Sequence, residues 1–337
     1  MPRILVTGGL GYIGSHTVVE LLTAGFDVAI IDNLSNSSDV VLNRIEKICG
    51  VRPKFYAGDV RDRLFLNDIF SNNTIDGVIH FAALKSVHES FEKRDEYFSV
   101  NVEGTRTLCE VMEEHNIFDL VFSSSAAVYG TIEYNPIPET APCRPTNPYG
   151  ETKVACENLL EEFAKNNSAW AIVMLRYFNP AGAHESMLIG DSPKYPASIA
   201  SMIMEVIAGK REMLVINGDD YDTADGTCVR DFVHVVDLAR AHIFALKFSM
   251  NNKGVHIFNV GTGKGYSVLQ LVEEFSRAAG YEIPAIVGDR REGDIITAVA
   301  DATKINTELD WHAEKTLEDI AQSSVAWLKK NPHGYEL

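Results

Sequence analysis

Residues 3–14 read Arg3-Ile4-Leu5-Val6-Thr7-Gly8-Gly9-Leu10-Gly11-Tyr12-Ile13-Gly14, and this stretch decides the fold. Ile4-Leu5-Val6 is a short apolar, strand-forming run. Glycines then recur at the spacing G-x-x-G-x-x-G (Gly8, Gly11, Gly14), and an amphipathic helical pattern follows over Ser15–Ala24. Strand, glycine turn and helix in that order make a dinucleotide-binding unit. Glycines let the backbone turn sharply and approach a pyrophosphate, and the helix N-terminus offers free N–H groups and the positive end of its dipole. Gly8, Gly11, Tyr12, Ile13 and Gly14 are the expected contacts.

Working outward, short β-branched runs alternate with helical patterns. The strand candidates are Arg3–Thr7, Asp27–Asp32, Pro53–Asp59, Gly77–Ala82, Leu120–Ser125 and Ala171–Phe178, with amphipathic stretches such as Arg63–Phe70 and Tyr97–His115 between them. That alternation implies right-handed βαβ units and a parallel sheet covered on both faces. The pattern breaks at Asn179-Pro180-Ala181-Gly182. Helical stretches then dominate at Ala197–Ala208, Val236–Phe248, Val268–Ala279 and Leu317–Lys329. The expected fold is α/β: a Rossmann-type doubly wound parallel sheet over 1–180, with a smaller α+β substrate domain over 181–337. The stretch around 230–260 is expected to pack back onto the first domain.

Asp32 ends the second strand candidate, where an acid would accept from the adenosine ribose hydroxyls and repel a 2′-phosphate. The following turn carries Asn33 and Asn36, and Asn33 to Ser38 contains no Arg or Lys, so NAD is expected rather than NADP. Asp59 and Val60 after the third strand, and Phe81 and Ala82 after the fourth, sit at the same carboxyl edge and extend the cofactor site. A helix cap is the alternative role for Asp59. Ser123-Ser124-Ser125 ends the fifth strand, with Ser125 the expected contact to the reacting groups.

Downstream, Asn147-Pro148 suits a helix start. Tyr149 and Lys153, four residues apart, then fall on one helix face. A phenol beside an ammonium group is a proton-transfer unit. Moving a tyrosine from a pKa of about 10 to about 7 takes roughly 4 kcal/mol. Lys153 and a positive nicotinamide ring are two cations that supply it, so without cofactor Tyr149 is expected to be a poor base.

Bulk properties narrow the function. The chain has 337 residues, 46% hydrophobic and 23% charged, as ordinary globular proteins do. A net charge of −17 argues against nucleic-acid or anionic-membrane partners. Five scattered cysteines without C-x-x-C spacing suggest free thiols. No apolar run reaches membrane-span length and the first strand begins at once, so a cytoplasmic protein is expected. Gly261–Gly265 lacks the phosphate-loop pattern and suits a strand-to-helix turn. Asp219–Gly226 misses the EF-hand spacing, His234 and His242 fit helix packing better than metal ligation, and no metal is expected.

The segments TGGLGYIGSH, IDNLSNS, GDVRD, HFAALKSVHES, FSSSAAVYG, NPYGETK, LRYFNPAGAH, DDYDTADGTCVRDFVHVVDLARAH, FNVGTGKGYSV and RREGD resemble the extended short-chain dehydrogenase/reductase family. The similarity to its nucleotide-sugar epimerase branch runs nearly end to end. It implies epimerisation of a UDP-hexose at C4 by transient oxidation, with NAD retained. Tyr149 would act as the base, Ser125 would hold the reacting oxygen, and Lys153 would hold the nicotinamide ribose. By the same resemblance Lys85, Tyr177 and Phe178 are cofactor contacts. Lys85, Ser125, Tyr149, Asn179, Arg230, Arg291 and Asp294 are UDP-sugar contacts.

Several positions depart from that pattern. Asn217 stands where the branch places an aromatic near uracil. Ser198 lies in a turn that lacks the usual Asn. Val100 replaces a polar residue near the cofactor. Ala126-Ala127 lack the acidic residues of related dehydratases. Ala298 is small where a bulky Tyr restricts some members to unmodified hexoses, so UDP-N-acetylglucosamine is an expected further substrate. The resemblance also implies a homodimer through Tyr97–His115 and Tyr149–Lys165. Competing readings are a UDP-pentose 4-epimerase, a net oxidoreductase, and a non-catalytic NAD-binding regulator, which predicts a damaged Ser/Tyr/Lys set.

Overall fold

Each apolar run becomes a strand because both of its faces find cover. In β1 (Arg3–Thr7) the side chains alternate, so Ile4 and Val6 enter one core and Leu5 enters the other. The same holds across β2 (Asp27–Asp32), β3 (Lys54–Ala57), β4 (Gly77–His80), β5 (Asp119–Ser125), β6 (Ala171–Tyr177) and β7 (Gly254–Val260). The computed structural model describes residues 1–132, 134–290 and 294–335. These seven strands form one parallel sheet in the order β7-β6-β5-β4-β1-β2-β3. The chain leaves β1 towards β3 on one side and resumes at β4 on the other. That reversal opens a crevice over the carboxyl ends of β1 and β4, where ligands of such sheets bind.

The helices that matter are α1 (Tyr12–Thr23), α2 (Gly104–Glu114), α3 (Pro148–Asn166), α4 (Ile199–Ile207), α5 (Val235–Ser249), α6 (Val268–Ala279) and α7 (Leu317–Lys330). On one face of the sheet Val18 and Leu21 of α1 meet Leu238 and Leu246 of α5 over Ile4, Val6 and Phe258. On the other, Leu108 and Met112 of α2 and Leu160 of α3 cover Leu5, Leu120 and Phe122. A third core gathers Ile203, Leu271, Phe275 and Ile320 from α4, α6 and α7 around a small parallel pair, Leu214–Asn217 with Ala285–Gly288. Each of these three helices begins at a hydroxyl capping box, at Ser198, Ser267 and Thr316.

The structure departs from the sequence expectation in three ways. α1 begins at Tyr12, directly on the glycine turn, not at Ser15. The stretch expected as one helix over Tyr97–His115 contains a π-helical segment, Phe98–Glu103. Asn101 in that wider turn donates to Leu84 O (3.0 Å) and Thr152 Oγ1 (3.0 Å), tying the loop after β4 to α3. β7 was not among the strand candidates. It pairs with β6 along its full length, from Gly254↔Ala171 to Val260↔Tyr177.

Phe258 tests how far β7 belongs to the core. It is fully buried, edge-on to Phe248 at 5.7 Å, with the Lys304 ammonium 4.8 Å from its ring. Phe258→Ala is expected to cost about 3–5 kcal/mol in urea unfolding. A loss below about 1 kcal/mol would show β7 to be an appendage rather than a core strand.

Candidate active site

The glycine turn is built for close approach. Gly8 has φ +67°, and a Cβ there would lie 2.8 Å from Ala82 N across the crevice. A Cβ on Gly14 would lie 2.2 Å from Gly8 O, so the third glycine lets α1 press against the turn. Gly11 caps α1 without any side-chain acceptor for the first-turn amides. A dinucleotide pyrophosphate matches this cradle in charge and shape. Tyr12 directs its hydroxyl away, to Gly182 O at 2.6 Å, and Ile13 is half-buried against the first core.

Asp32 is buried at the end of β2. Its Oδ2 accepts from Leu10 N (3.0 Å), and its Oδ1 accepts from Leu34 N (2.9 Å) and Ser37 Oγ (2.7 Å). The carboxylate thus joins the glycine turn to the turn carrying Asn33 and Asn36. Asn33 Nδ2 donates to Asp59 Oδ2 (3.2 Å), and Asn36 Oδ1 accepts from Lys194 N (3.4 Å). Asp59 does not cap a helix; Asp62 does, accepting from Phe65 N. Hydrogen bonds from Arg61 hold Asp59 down to about 2, and Val60 beside it is buried. Phe81 N and Ala82 N donate to Thr7 O and Thr7 Oγ1, which fixes the loop after β4 over β1. Lys85 is exposed, its ammonium 5.8 Å from the Tyr12 ring.

The start of α3 is as the sequence implies. Asn147 Oδ1 accepts from Gly150 N (2.8 Å) and Pro148 occupies the first turn. Tyr149 and Lys153 therefore face the end of β5. Lys153 is buried; its Nζ donates to Ser123 O at 2.7 Å and stands 5.8 Å from the Tyr149 ring centroid. Burial lowers the Lys153 ammonium to about 8, against upward pulls from Cys156 and Glu157. Burial raises the Tyr149 phenol to about 12, partly offset by its hydrogen bond with Ser125. Ser125 Oγ also accepts from Ala127 N (3.2 Å). Desolvation therefore dominates, and the phenol holds its proton at neutral pH.

The remaining residues fall into two groups. Phe178 and Ala298 share a buried cluster with Val128, Tyr129 and Ile137, just beyond Ser125. Asn179 N donates to Asp231 O, and Ala298 pairs in register with Arg230, so these also lie together. Arg230 Nη1 donates to Val229 O (2.9 Å). Ser198 instead caps α4, and Asn217 is exposed at the end of its strand beside Gly218, whose amide donates to Gly288 O. Asp294 is half-buried, Val100 lies in the π-helical segment, and Arg291 lies outside the described residues.

Two organising residues, Asp231 and Glu157, escaped the sequence reading, and His242 adds a bond to Tyr177 to the helix packing expected of it. Asp231 accepts from Thr262 N and Oγ1, Gly263 N and Ala300 N, and so shapes the Gly261–Gly265 turn. His242 accepts from the Tyr177 hydroxyl while its Nδ1 bonds Leu238 O, an arrangement that burial supports by keeping the imidazole neutral. Glu157 forms a buried pair with Arg176. Its only sequence signal was its place four residues past Lys153. Among the described residues no group of His, Cys, Asp or Glu is arranged to hold a metal ion, and no helix is long and apolar enough to cross a membrane.

Comparison with known proteins fits this geometry. Residues 4–261 match the NAD dependent epimerase/dehydratase family. UDP-glucose 4-epimerase of Bacillus subtilis (strain 168) is 47% identical over 334 residues, 99% of this chain and 98% of that protein. The crystal structure of UDP-glucose 4-epimerase from Bifidobacterium longum, in complex with NAD+ and UDP, superposes with a TM-score of 0.95 at 48% identity, covering 98% of this chain and 99% of that one. The UDP-Glc/GlcNAc 4-epimerase of Campylobacter jejuni gives a TM-score of 0.87 at 35% identity, covering 98% and 100%.

The lowered Lys153 carries a pH signature. Between about 8 and the unfolded value near 10.4, the unfolded chain binds a proton that the folded lysine does not. Lys153 therefore makes stability rise with pH through that window, and the gain is lost as pH falls through 8. In nucleotide-free protein, the stability of the parent relative to Lys153→Met should climb by up to about 1.4 kcal/mol per pH unit there, measured by urea unfolding. A difference that stays flat or falls contradicts the burial assigned to this amine.

Proposed function

The chain belongs to the NAD dependent epimerase/dehydratase family, and from that membership we propose that it is a UDP-glucose 4-epimerase, interconverting UDP-glucose and UDP-galactose. The observation that carries this is the intact set of Ser125, Tyr149 and Lys153 at the end of β5, beside a glycine cradle that fits NAD. When bound, NAD+ supplies a hydride acceptor and donor at the sugar C4.

The chain's own residues do the rest. Tyr149 takes the proton of the sugar 4-hydroxyl and later returns it to the same oxygen. Ser125 holds that oxygen, and Asn179 and Arg230 hold the UDP-sugar as it turns its other face to the site. A phenol at about 12 is far from the roughly 7 that suits a base at neutral pH. The gap is on the order of 7 kcal/mol. The phenol's raised value is set with Lys153 already in place on Ser123 O, so the lowering would come from the positive charge that bound NAD+ brings and from contacts with the substrate. This coupling keeps the base idle until the oxidant is in place. Two neutral residues after Ser125, Ala126 and Ala127, offer no acid or base for elimination, which favours simple inversion.

For substrate range, the wall formed by Ala298 with Phe178 and Ile137 ends in a methyl group. A side chain that small would suit an N-acetyl substituent at C2, and the resemblance to an enzyme named for both UDP-Glc and UDP-GlcNAc supports the same breadth here. For assembly we infer a homodimer through the outer faces of α2 and α3. Light scattering should return twice the chain mass, and a monomer would refute it.

Two measurements test the enzymatic reading. UDP-glucose deuterated at C4 should yield UDP-galactose that keeps the deuterium, with Tyr149→Phe slower by about 10²–10⁴-fold; loss of label to solvent, or an unaffected variant, contradicts the mechanism. UDP-N-acetylglucosamine should also be epimerised, and Ala298→Tyr should suppress that activity selectively. Absence of turnover on the acetylated sugar defeats the steric argument alone.

A further inference from the structure

We propose that Glu157 and Arg176 form a positioning clamp that holds α3, with Tyr149 and Lys153, in register with the Ser123–Ser125 end of β5; this rests on the epimerase reading above. Tyr149, Lys153 and Glu157 recur every four residues, so they share one face of α3. Tyr149 and Lys153 reach Ser125 and Ser123, the two serines that flank Ser124. Ser124 points, with Leu120 and Phe122, to the face that α3 covers, and its hydroxyl donates to Glu157 Oε1 at 2.5 Å. The helix is thus pinned to three consecutive residues of one strand.

Arg176 completes the clamp. It pairs in register with Ser124 from β6, and its guanidinium grips Glu157 through both forks, Nε to Oε1 (2.9 Å) and Nη2 to Oε2 (2.7 Å). Its third nitrogen, Nη1, donates to the Tyr129 hydroxyl (3.0 Å) and Glu139 O (3.1 Å). Tyr129 donates onward to Asn259 Oδ1 on β7 (2.6 Å), and Asn259 Nδ2 donates to Ile137 O (2.8 Å). One guanidinium therefore joins the base-bearing helix, three strands, and the loop that carries Ile137 against Ala298.

Stability alone does not account for this arrangement. The two side chains are only 4% and 5% exposed, and burying an ion pair is so costly that apolar replacements are often as stable. What the pair adds is direction. A bidentate fork fixes both distance and angle, which one apolar contact does not. Among the described residues, the hydrogen bonds of this pair run to Ser124, Tyr129 and Glu139 and not to the expected substrate contacts, so the effect reaches the reaction through the placement of Tyr149 and Lys153.

The test is the neutral double variant E157Q/R176M, in which Gln still accepts from Ser124 and Met refills the volume of Arg. With no unpaired charge left, its melting temperature should stay within about 3 °C of the parent. Its kcat on UDP-glucose should nevertheless fall about 10- to 100-fold while KM changes by less than about twofold. 3-Fluorotyrosine placed at position 149 gives a readout independent of turnover: one fluorine resonance in the parent, displaced or split in the double variant. A folded double variant with the parent's kcat or an unmoved resonance overturns the clamp. Should the double variant not fold, Ser124→Ala, which keeps the ion pair and cuts only its bond to β5, should lower kcat and shift the same resonance; parental behaviour in both overturns the proposal. A parent without epimerase turnover refutes the epimerase reading instead, and the resonance still decides the clamp.

Discussion

Lys153 donates to the carbonyl of Ser123 from a site almost closed to water. The rest of the site depends on that contact. An ammonium held this way has given up most of its hydration, so its charge is costly, and the cost is what keeps it near its ionisation point. The neighbouring phenol pays the opposite penalty, since burial disfavours its anion. Two groups that would ionise close together in water, near 10.4 for the amine and 10 for the phenol, are here driven apart, to about 8 and about 12. In the proposed reaction the pair would stay neutral-leaning until another positive charge enters. Pre-organisation and restraint thus come from the same burial.

The sheet topology makes that burial possible. Parallel strands bring every carboxyl end to one edge, and the reversal between β1 and β4 leaves a crevice there. Gly8 faces Ala82 across it with no space for a side chain. The second half of the chain is not a separate lid. It returns through α5 and β7 to complete the sheet, and it sends Arg230 and Ala298 back beside Asn179 and Phe178. These residues and the sheet are therefore parts of one hydrogen-bonded frame, tied by Asp231 to the Gly261–Gly265 turn.

Much of this was legible in the residues. Alternating apolar runs gave the strands, because both faces of a parallel sheet are covered. Asn147-Pro148 gave the start of α3, because cap chemistry is local. β7 was missed because Gly254, His256 and Asn259 dilute its apolar pattern, and an edge strand needs less cover. The π-helical turn at Phe98–Glu103 was missed because its cause is tertiary, the pull of Asn101 towards Leu84 and Thr152. The phenol's environment was only half legible. Spacing placed a lysine beside a tyrosine, but spacing does not say whether the cation meets the hydroxyl or the ring, nor how much water is left. The Arg176–Glu157 pair was invisible for a similar reason, since its partners lie 19 residues apart and meet only once β6 lies beside β5.

On the proposed mechanism Tyr149 is a dormant base that the charge of a bound nicotinamide would switch on. Its most direct test is an ultraviolet titration of tyrosinate in nucleotide-free protein, with Tyr149→Phe subtracted, repeated with NAD+ bound. The Tyr149 signal should be absent until the pH approaches 12 in the first case and should move to distinctly lower pH in the second. A Tyr149 signal already present near neutrality in the nucleotide-free protein, or one that does not respond to NAD+, would contradict it.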